Sequence, residues 1–279
     1  MSSEPATSTV CYRHPDRPTG LSCTGCGRPI CPECSTDAAV GQRCPDCLRQ
    51  EGTQEVIPVG RARSQPFGRS SPTTFGIIAV AVGFYVIGFV MPAVGLVLLE
   101  RLAMFNLAVA AGEWWRMFTV VLLHASPMHL LFNMWALYVF GPQIEREVGG
   151  LRFLALFLAT AAAGSAFAFH LGELRDVGVG ASGAIFGLFG VWLASAIRRR
   201  HTAYGRYLLN QLGFLLLINA ALPLFIPRVS WQAHLGGLIA GFLVGQVWAG
   251  LGRSGATGRQ LLVAVAVAVA SVTSVLLLG

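Results

Sequence analysis

From residue 75 to the end, the chain consists of long apolar stretches broken by short polar ones. A helix that crosses a bilayer needs about 20 predominantly apolar residues. Seven stretches meet that demand: 75–99, 127–148, 151–171, 181–197, 207–226, 231–251 and 260–278. The intervening stretch 102–124 is apolar but interrupted. It carries Glu113-Trp114-Trp115-Arg116, an aromatic and basic cluster suited to the lipid headgroup level, and reads as an interfacial loop. Ser126-Pro127 signals a helix start, because Ser can cap and Pro suits the first helical position. The pattern predicts an all-α, polytopic membrane domain.

Upstream the pattern changes. Residues 1–50 hold a compact Cys-rich module that begins at Cys11. Residues 51–74 mix Arg, Ser, Pro and Gly without helical or strand period and read as a flexible linker. The membrane core then spans 75–251, and 252–279 supplies a loop and an additional C-terminal span. Composition agrees with the pattern: 54% of residues are hydrophobic, 12% are charged, and this excludes an ordinary soluble domain. The opening MSSEPATSTV has no basic segment followed by an apolar one, so no cleavable signal peptide is expected.

Arginine placement sets the expected orientation. With a cytoplasmic N-terminus, the inner segments hold Arg61, Arg63, Arg69, Arg146, Arg152, Arg198, Arg199, Arg200, Arg206, Arg253 and Arg259. The outer loops hold Arg101, Arg116, Arg175 and Arg228. This bias puts the N-terminus inside the plasma (inner) membrane and the C-terminus outside. It also accounts for the net charge of +7 without a nucleic-acid partner. The Arg198-Arg199-Arg200 run reads as a membrane-flanking anchor.

The candidate chemistry lies in two apolar stretches. Ser182, in Gly180-Ala181-Ser182-Gly183, opens one of them, and His234 lies near the start of another. Ionisable side chains are costly in hydrocarbon, so one that persists there suggests function. In the expected topology His234 lies about 6 Å and Asn133 about 9 Å below the outer surface, at ~1.5 Å per residue. Ser182 falls in the same layer, shallow enough for water to reach. Serine needs a base to take its proton, and histidine is the usual one. Neither stretch contains Asp or Glu, so the pair would be a dyad. A tetrahedral intermediate also needs preorganised donors. His129 and Asn133, one turn apart on one helix face, and the Ser182 backbone N–H are the candidates. Gly183 with Gly187, and Gly237 with Gly241, are small-residue pairs that let helices approach closely in lipid. Phe186 is four residues after Ser182 and could stack on His234. His170 is assigned no role, and the six Trp read as interfacial or packing residues.

These residues together resemble the rhomboid intramembrane serine proteases. The resemblance rests on Trp115-Arg116, His124, His129-Leu130-Leu131-Phe132-Asn133, Gly141 and Glu145, Gly180-Ala181-Ser182-Gly183, and Ala233-His234-Leu235-Gly236-Gly237 with Gly241. It covers about 75–251. It implies six core helices, Ser182 as nucleophile, His234 as base, and an oxyanion hole of His129, Asn133 and the Ser182 amide. His124 would support a water-accessible cavity. The implied substrates are transmembrane proteins, cut near the outer face without a catalytic cofactor. Phe186 stands where many members carry Tyr, so stacking survives and the hydroxyl is lost. The span after Arg259 is a seventh helix beyond the core. A non-catalytic relative that binds membrane clients is the competing reading, although such relatives usually lose the dyad. A solute transporter would show inverted repeats, which are not seen.

The Cys-rich module reads Cys11-x-x-His14, Cys23-x-x-Cys26, Cys31-x-x-Cys34, Cys44-x-x-Cys47. Eight ligands fit two tetrahedral zinc sites. So small a segment cannot be held by core burial alone, and the metals would supply the folding energy. Disulfides conflict with an odd Cys count and a cytoplasmic location. The order resembles B-box-type zinc fingers. That resemblance implies that Cys11, His14, Cys31 and Cys34 share one ion and Cys23, Cys26, Cys44 and Cys47 the other; sequential pairing is the alternative. Arg13, Arg17, Arg28 and Arg43 are balanced by Asp16, Glu33, Asp37 and Asp46, which favours a cytoplasmic protein partner or a regulatory role over nucleic acid.

Overall fold

The computed structural model describes residues 9–38, 41–51, 71–225, 229–251 and 257–278. Most of the expected linker, and Arg61, Arg63, Arg69, Arg228 and Arg253 of the topology argument, lie outside them. The chain forms two compact units, Met1–Ser64 and Gln65–Gly279.

The first unit has little regular structure. A 3-10 turn (Pro32–Cys34) leads to a two-stranded antiparallel ribbon of β1 (Thr36–Asp37) and β2 (Gln42–Arg43), followed by α1 (Pro45–Glu51). Its buried residues are Ile30 and five cysteines, with Tyr12, Leu21 and Cys47 packed against them. With a single fully buried aliphatic side chain, this cluster lacks the apolar area that holds an ordinary domain together.

The second unit is helical. Helix α2 (Pro72–Val90) starts three residues before the expected position and stops earlier than expected. The apolar run to residue 99 breaks at Met91, because Pro92 opens a separate α3 (Pro92–Leu102). Proline has no N–H to continue the ladder and drives the preceding residue out of helical geometry; Met91 has φ −122° and ψ 79°. Apolarity alone carried the expected span across a break that the proline marks.

The stretch 102–124 departs from a simple interfacial loop. It folds into β3 (Met104–Phe105), α4 (Asn106–Ala110), α5 (Arg116–Thr119) and a 3-10 turn (Val120–Leu122). Met104, Val109 and Met117 are buried in the main core. Trp114 and Trp115 are exposed, but Arg116 is only 4% exposed and does not face outward as the headgroup reading required. Its guanidinium pairs with Glu113 at 2.6 Å and donates to the Ala103 carbonyl at 2.9 Å. A buried arginine is stable only when so paired.

Helix α6 (Pro127–Val148) starts at the expected cap, with the Ser126 hydroxyl accepting from the His129 N–H at 3.1 Å. Then follow α7 (Gly150–Leu171), β4 (Val177–Gly178), α8 (Ser182–Arg198), α9 (Ala203–Phe225), α10 (Trp231–Leu251) and α11 (Thr257–Leu278). Strand β4 pairs antiparallel with β3, so the approach to α8 is stitched to the 102–124 region. Among the described residues, α2, α7, α10 and α11 are long and apolar enough to cross a membrane. Helix α6 qualifies only together with the segment Arg116–Leu122, from which it is bent by 98°, and α8 is a shorter apolar helix of 17 residues.

Helices α7, α8 and α10 form the centre of the packing, and small residues let them meet. A Cβ on Gly237 would land on the Gly183 carbonyl oxygen, and one on Gly241 on the Gly187 carbonyl oxygen. The two glycine pairs predicted from spacing therefore face each other. Without a hydrophobic drive between helices in lipid, such close backbone contact is the main source of association. Thr160 of α7 fills the space beside Gly187, its hydroxyl donating to Leu156 O at 2.9 Å.

Candidate active site

The α8–α10 contact sets the geometry of one end of the bundle. Ser182 is the first residue of α8, and His234 lies one turn into α10. Ser182 Oγ and His234 Nε2 are 2.9 Å apart. The His234 ring lies flat on Phe186, with centroids 4.1 Å apart and planes 6° from parallel. His234 and Phe186 are buried, whereas Ser182 is half-buried. The imidazole is thus fixed by stacking, with one nitrogen on the hydroxyl. Any attacking role requires that Nε2 accept, which places the neutral proton on Nδ1.

The backbone before Ser182 brings in the next element. Gly180 has φ +123°, a region closed to L side chains, and its amide donates to Val120 O at 3.0 Å. A Cβ there would lie 2.7 Å from both Cε1 and Nε2 of His129. Glycine therefore serves both the turn and the approach of the His129 ring. The Ala125 N–H donates to His129 Nδ1 at 3.4 Å, so the neutral ring carries its proton on Nε2, the nitrogen beside Gly180. Asn133 is buried on the same face and donates through Nδ2 to the His129 carbonyl at 2.9 Å; a second Nδ2 hydrogen remains, and its Oδ1 has no partner among the described residues. The Ser182 amide belongs to the first turn of α8, where N–H groups lack intrahelical acceptors and the dipole is positive. The His129 ring of α6 thus meets the backbone two residues before Ser182, at the start of α8.

His124 packs edge-on against His129, with centroids 5.1 Å apart. Both its ring nitrogens are buried without a hydrogen-bond partner among the described residues. His170 lies apart from this group and meets Ser274 of α11 at 3.2 Å. The importance of Gly180 for His129 was not visible in the sequence, since it depends on a backbone angle and on a contact between segments about 50 residues apart.

Glu145 and Gly141 serve the contact between α6 and α2. Glu145 reaches the start of α2, where Oε1 accepts from Thr73 N at 2.9 Å and Oε2 from Thr74 N at 2.8 Å and Thr74 Oγ1 at 2.6 Å. A carboxylate at a helix N-terminus satisfies orphan donors and matches the dipole. Gly141, one turn earlier, leaves room for Thr74, which a Cβ would meet at 2.6 Å.

In the first unit, the eight predicted ligands fall into two clusters: Cys11, His14, Cys31 and Cys34, and Cys23, Cys26, Cys44 and Cys47. The grouping is cross-braced, not sequential. His14 Nδ1 lies 3.4 Å from the sulfurs of Cys31 and Cys34 and 3.8 Å from that of Cys11. Cys23 faces Cys47 and Cys26 faces Cys44, each at 3.7 Å. A tetrahedron with metal–sulfur bonds of about 2.3 Å has edges of about 3.8 Å, so both donor sets fit one metal ion each. Their titration is divided. Burial raises the Cys11 thiol, but N–H groups of Arg13, Cys31 and His14 outweigh it and lower it to about 6. Burial, with Cys31 and Cys11 alongside, pushes Cys34 up to about 11. A bound cation is what lets both serve as thiolates.

A multi-pass helical domain with a serine and a histidine in contact at one end defines a class of membrane protein. Comparison with known proteins bears on which class this is. A family model described as the Rhomboid domain matches residues 111–250. The chain is 38% identical over 182 residues to "Putative rhomboid protease YdcA" of Bacillus subtilis (strain 168), covering 64% of this chain and 90% of that protein. It is 37% identical over 160 residues to "Rhomboid protease GluP" of the same organism, covering 57% of this chain and 31% of that one. It is 38% identical over 145 residues to "RHOMBOID-like protein 1" of Arabidopsis thaliana, covering 51% and 36%. The chain thus spans most of the first relative but about a third of the other two. It belongs to the rhomboid family. It is a multi-pass membrane protein of the rhomboid-type serine protease class.

Proposed function

We propose that Ser182 and His234 form the catalytic dyad of an intramembrane endopeptidase that hydrolyses peptide bonds in or next to transmembrane segments. The observation that carries this reading is the 2.9 Å contact between Ser182 Oγ and His234 Nε2, with the ring fixed by Phe186. In the forward step Oγ attacks the scissile carbonyl carbon while its proton passes to Nε2. The carbonyl oxygen becomes an oxyanion and is stabilised by the Ser182 amide, His129 Nε2–H and the free Asn133 N–H. The C–N bond then breaks, and the leaving amine takes the proton from His234. Water, with its proton drawn to His234, releases the acyl group and restores the hydroxyl. His124 lines the region through which that water arrives. Gly183, Gly237 and Gly241 serve by keeping α8 and α10 close.

The arginine distribution supports a cytoplasmic N-terminus and an extracytoplasmic mouth in the plasma (inner) membrane. The first unit carries two structural zinc ions in this reading and acts as a protein-binding or regulatory element; the hydrolysis uses no metal. The test is cleavage of a single-span model substrate in proteoliposomes. Ser182→Ala and His234→Ala should each abolish it. Cleavage by either variant at the parent's rate would sink the dyad assignment.

A further inference from the structure

A cavity lies at the end of the bundle remote from Ser182. It measures about 430 Å³ and sits where the ends of α6, α8 and α10 meet the starts of α7, α9 and α11. Ligand pockets commonly run from about 300 to 1,000 Å³. Among the described residues its wall carries Arg152, Arg198 and Arg199 against a single carboxylate, Glu147. Along α8, Arg198 is 16 residues from Ser182, or about 24 Å at ~1.5 Å per residue, so this cavity is not part of the catalytic mouth.

Two of the arginines are held in place by neutral groups. Arg152 donates to the Gln260 side chain at 2.6 Å. Gln260 is buried, and its backbone carbonyl accepts from Trp248 Nε1 at 2.9 Å. Arg198 donates to Gln246 Oε1 at 2.5 Å and to the Gly245 carbonyl at 3.2 Å. Amide oxygens orient a guanidinium without cancelling its charge, so the wall keeps a net positive charge after Glu147 is counted. Trp192 and Trp248 line the same cavity. A site that combines fixed guanidinium groups with aromatic walls, at the end of a membrane bundle, matches an amphipathic anion. Guanidinium recognises phosphate through paired N–H donors, and indole rings sit well at the headgroup level.

We infer that this cavity binds the phosphate-bearing headgroup of an anionic phospholipid from the leaflet at the end of the bundle remote from Ser182. The inference is independent of the assigned dyad. It also gives α11 a task, because its residue Gln260 fixes Arg152.

The test uses the full-length protein in nanodiscs of phosphatidylcholine doped with phosphatidylglycerol, extracted gently and weighed by native mass spectrometry. The parent should retain phosphatidylglycerol in preference to phosphatidylcholine. One arginine near an anionic lipid surface is worth about a five-fold change in binding, so Arg198→Gln with Arg199→Gln should lower retention by about twenty-five-fold. Arg199→Gln alone, at an exposed position, should lower it about five-fold and covers the case in which the double variant does not fold. Arg200→Gln, a neighbouring arginine outside the cavity wall, should lower retention clearly less than Arg199→Gln. Equal retention by the parent and Arg199→Gln, or an equal loss with Arg200→Gln, overturns the inference. If sn-glycerol 3-phosphate in solution displaces the lipid at concentrations comparable to it, the site takes a soluble phosphate and the lipid assignment fails.

Discussion

Glu145 holds Thr74 by both its backbone and its side chain: one carboxylate oxygen accepts from Thr74 N at 2.8 Å and from Thr74 Oγ1 at 2.6 Å. A negative side chain from the end of α6 thus caps the start of α2, 71 residues away in sequence. Removing the acceptor leaves buried donors unsatisfied. Glu145→Gln, which turns an N–H group toward those donors, should lower stability by about 1–3 kcal/mol. Thermal unfolding in detergent is the measurement. An unchanged midpoint in both Glu145→Gln and Glu145→Ala would show that the contact contributes nothing.

Phe186 separates stacking from hydroxyl chemistry. Its face covers His234, and ring contacts of this kind are worth about 0.5–1.5 kcal/mol beyond area burial. Phe186→Ala should therefore reduce kcat/KM by up to about ten-fold. Phe186→Tyr keeps the ring and should stay close to the parent. The idea fails if the alanine variant cleaves a single-span substrate as fast as the parent.

Gly180 tests the arrangement around His129. Gly180→Ala combines a forbidden φ with a collision at the imidazole. Loss of one oxyanion donor typically costs about 10²–10³ in kcat, and a fall of that order is expected here. The strain should also lower the melting temperature, so kcat is compared on protein that is still folded at the assay temperature. A variant that keeps full kcat would remove His129 from the proposed oxyanion hole.

Helix approach can be perturbed away from the dyad. Gly241 lies two turns beyond His234, against the Gly187 carbonyl. Gly241→Val should destabilise the bundle by about 1–3 kcal/mol through overpacking, and should lower cleavage by parting α8 from α10. Gly250→Ala, with open space around it, is the matched control and should be silent in both assays.

The metal clusters allow a stoichiometric test. The full chain should carry two zinc ions by native or inductively coupled plasma mass spectrometry. Cys11→Ser with Cys34→Ser alters one cross-braced cluster and should leave one ion. Under sequential pairing the same two changes would hit both sites and leave none. A folded chain with no bound metal would reject the zinc reading altogether.

The residues around the candidate site were legible in the sequence as types and spacings. Ser182 and His234 stood out because polar groups are rare in apolar helices, and the glycine pairs because close helix contact needs them. How Gly180 admits His129, and which way Arg116 points, were not legible. An arginine beside two tryptophans looks like a headgroup anchor until Glu113 and the Ala103 carbonyl are found beside it.

Features governed by near neighbours were readable along the chain. Apolar runs long enough to span, the Ser126-Pro127 start, and ligand pairs two residues apart depend on rise per residue, capping and turn reach. The break at Met91 belongs with these, since Pro92 was present to announce it. Other features wait on which surfaces meet. The cross-braced choice among four ligand pairs, the Glu145 cap on α2, and the cavity shared by Arg152, Arg198 and Gln260 all join segments far apart in sequence. Their energies come from pairing buried donors, acceptors and charges, and a one-dimensional pattern cannot say which partner lies across the gap.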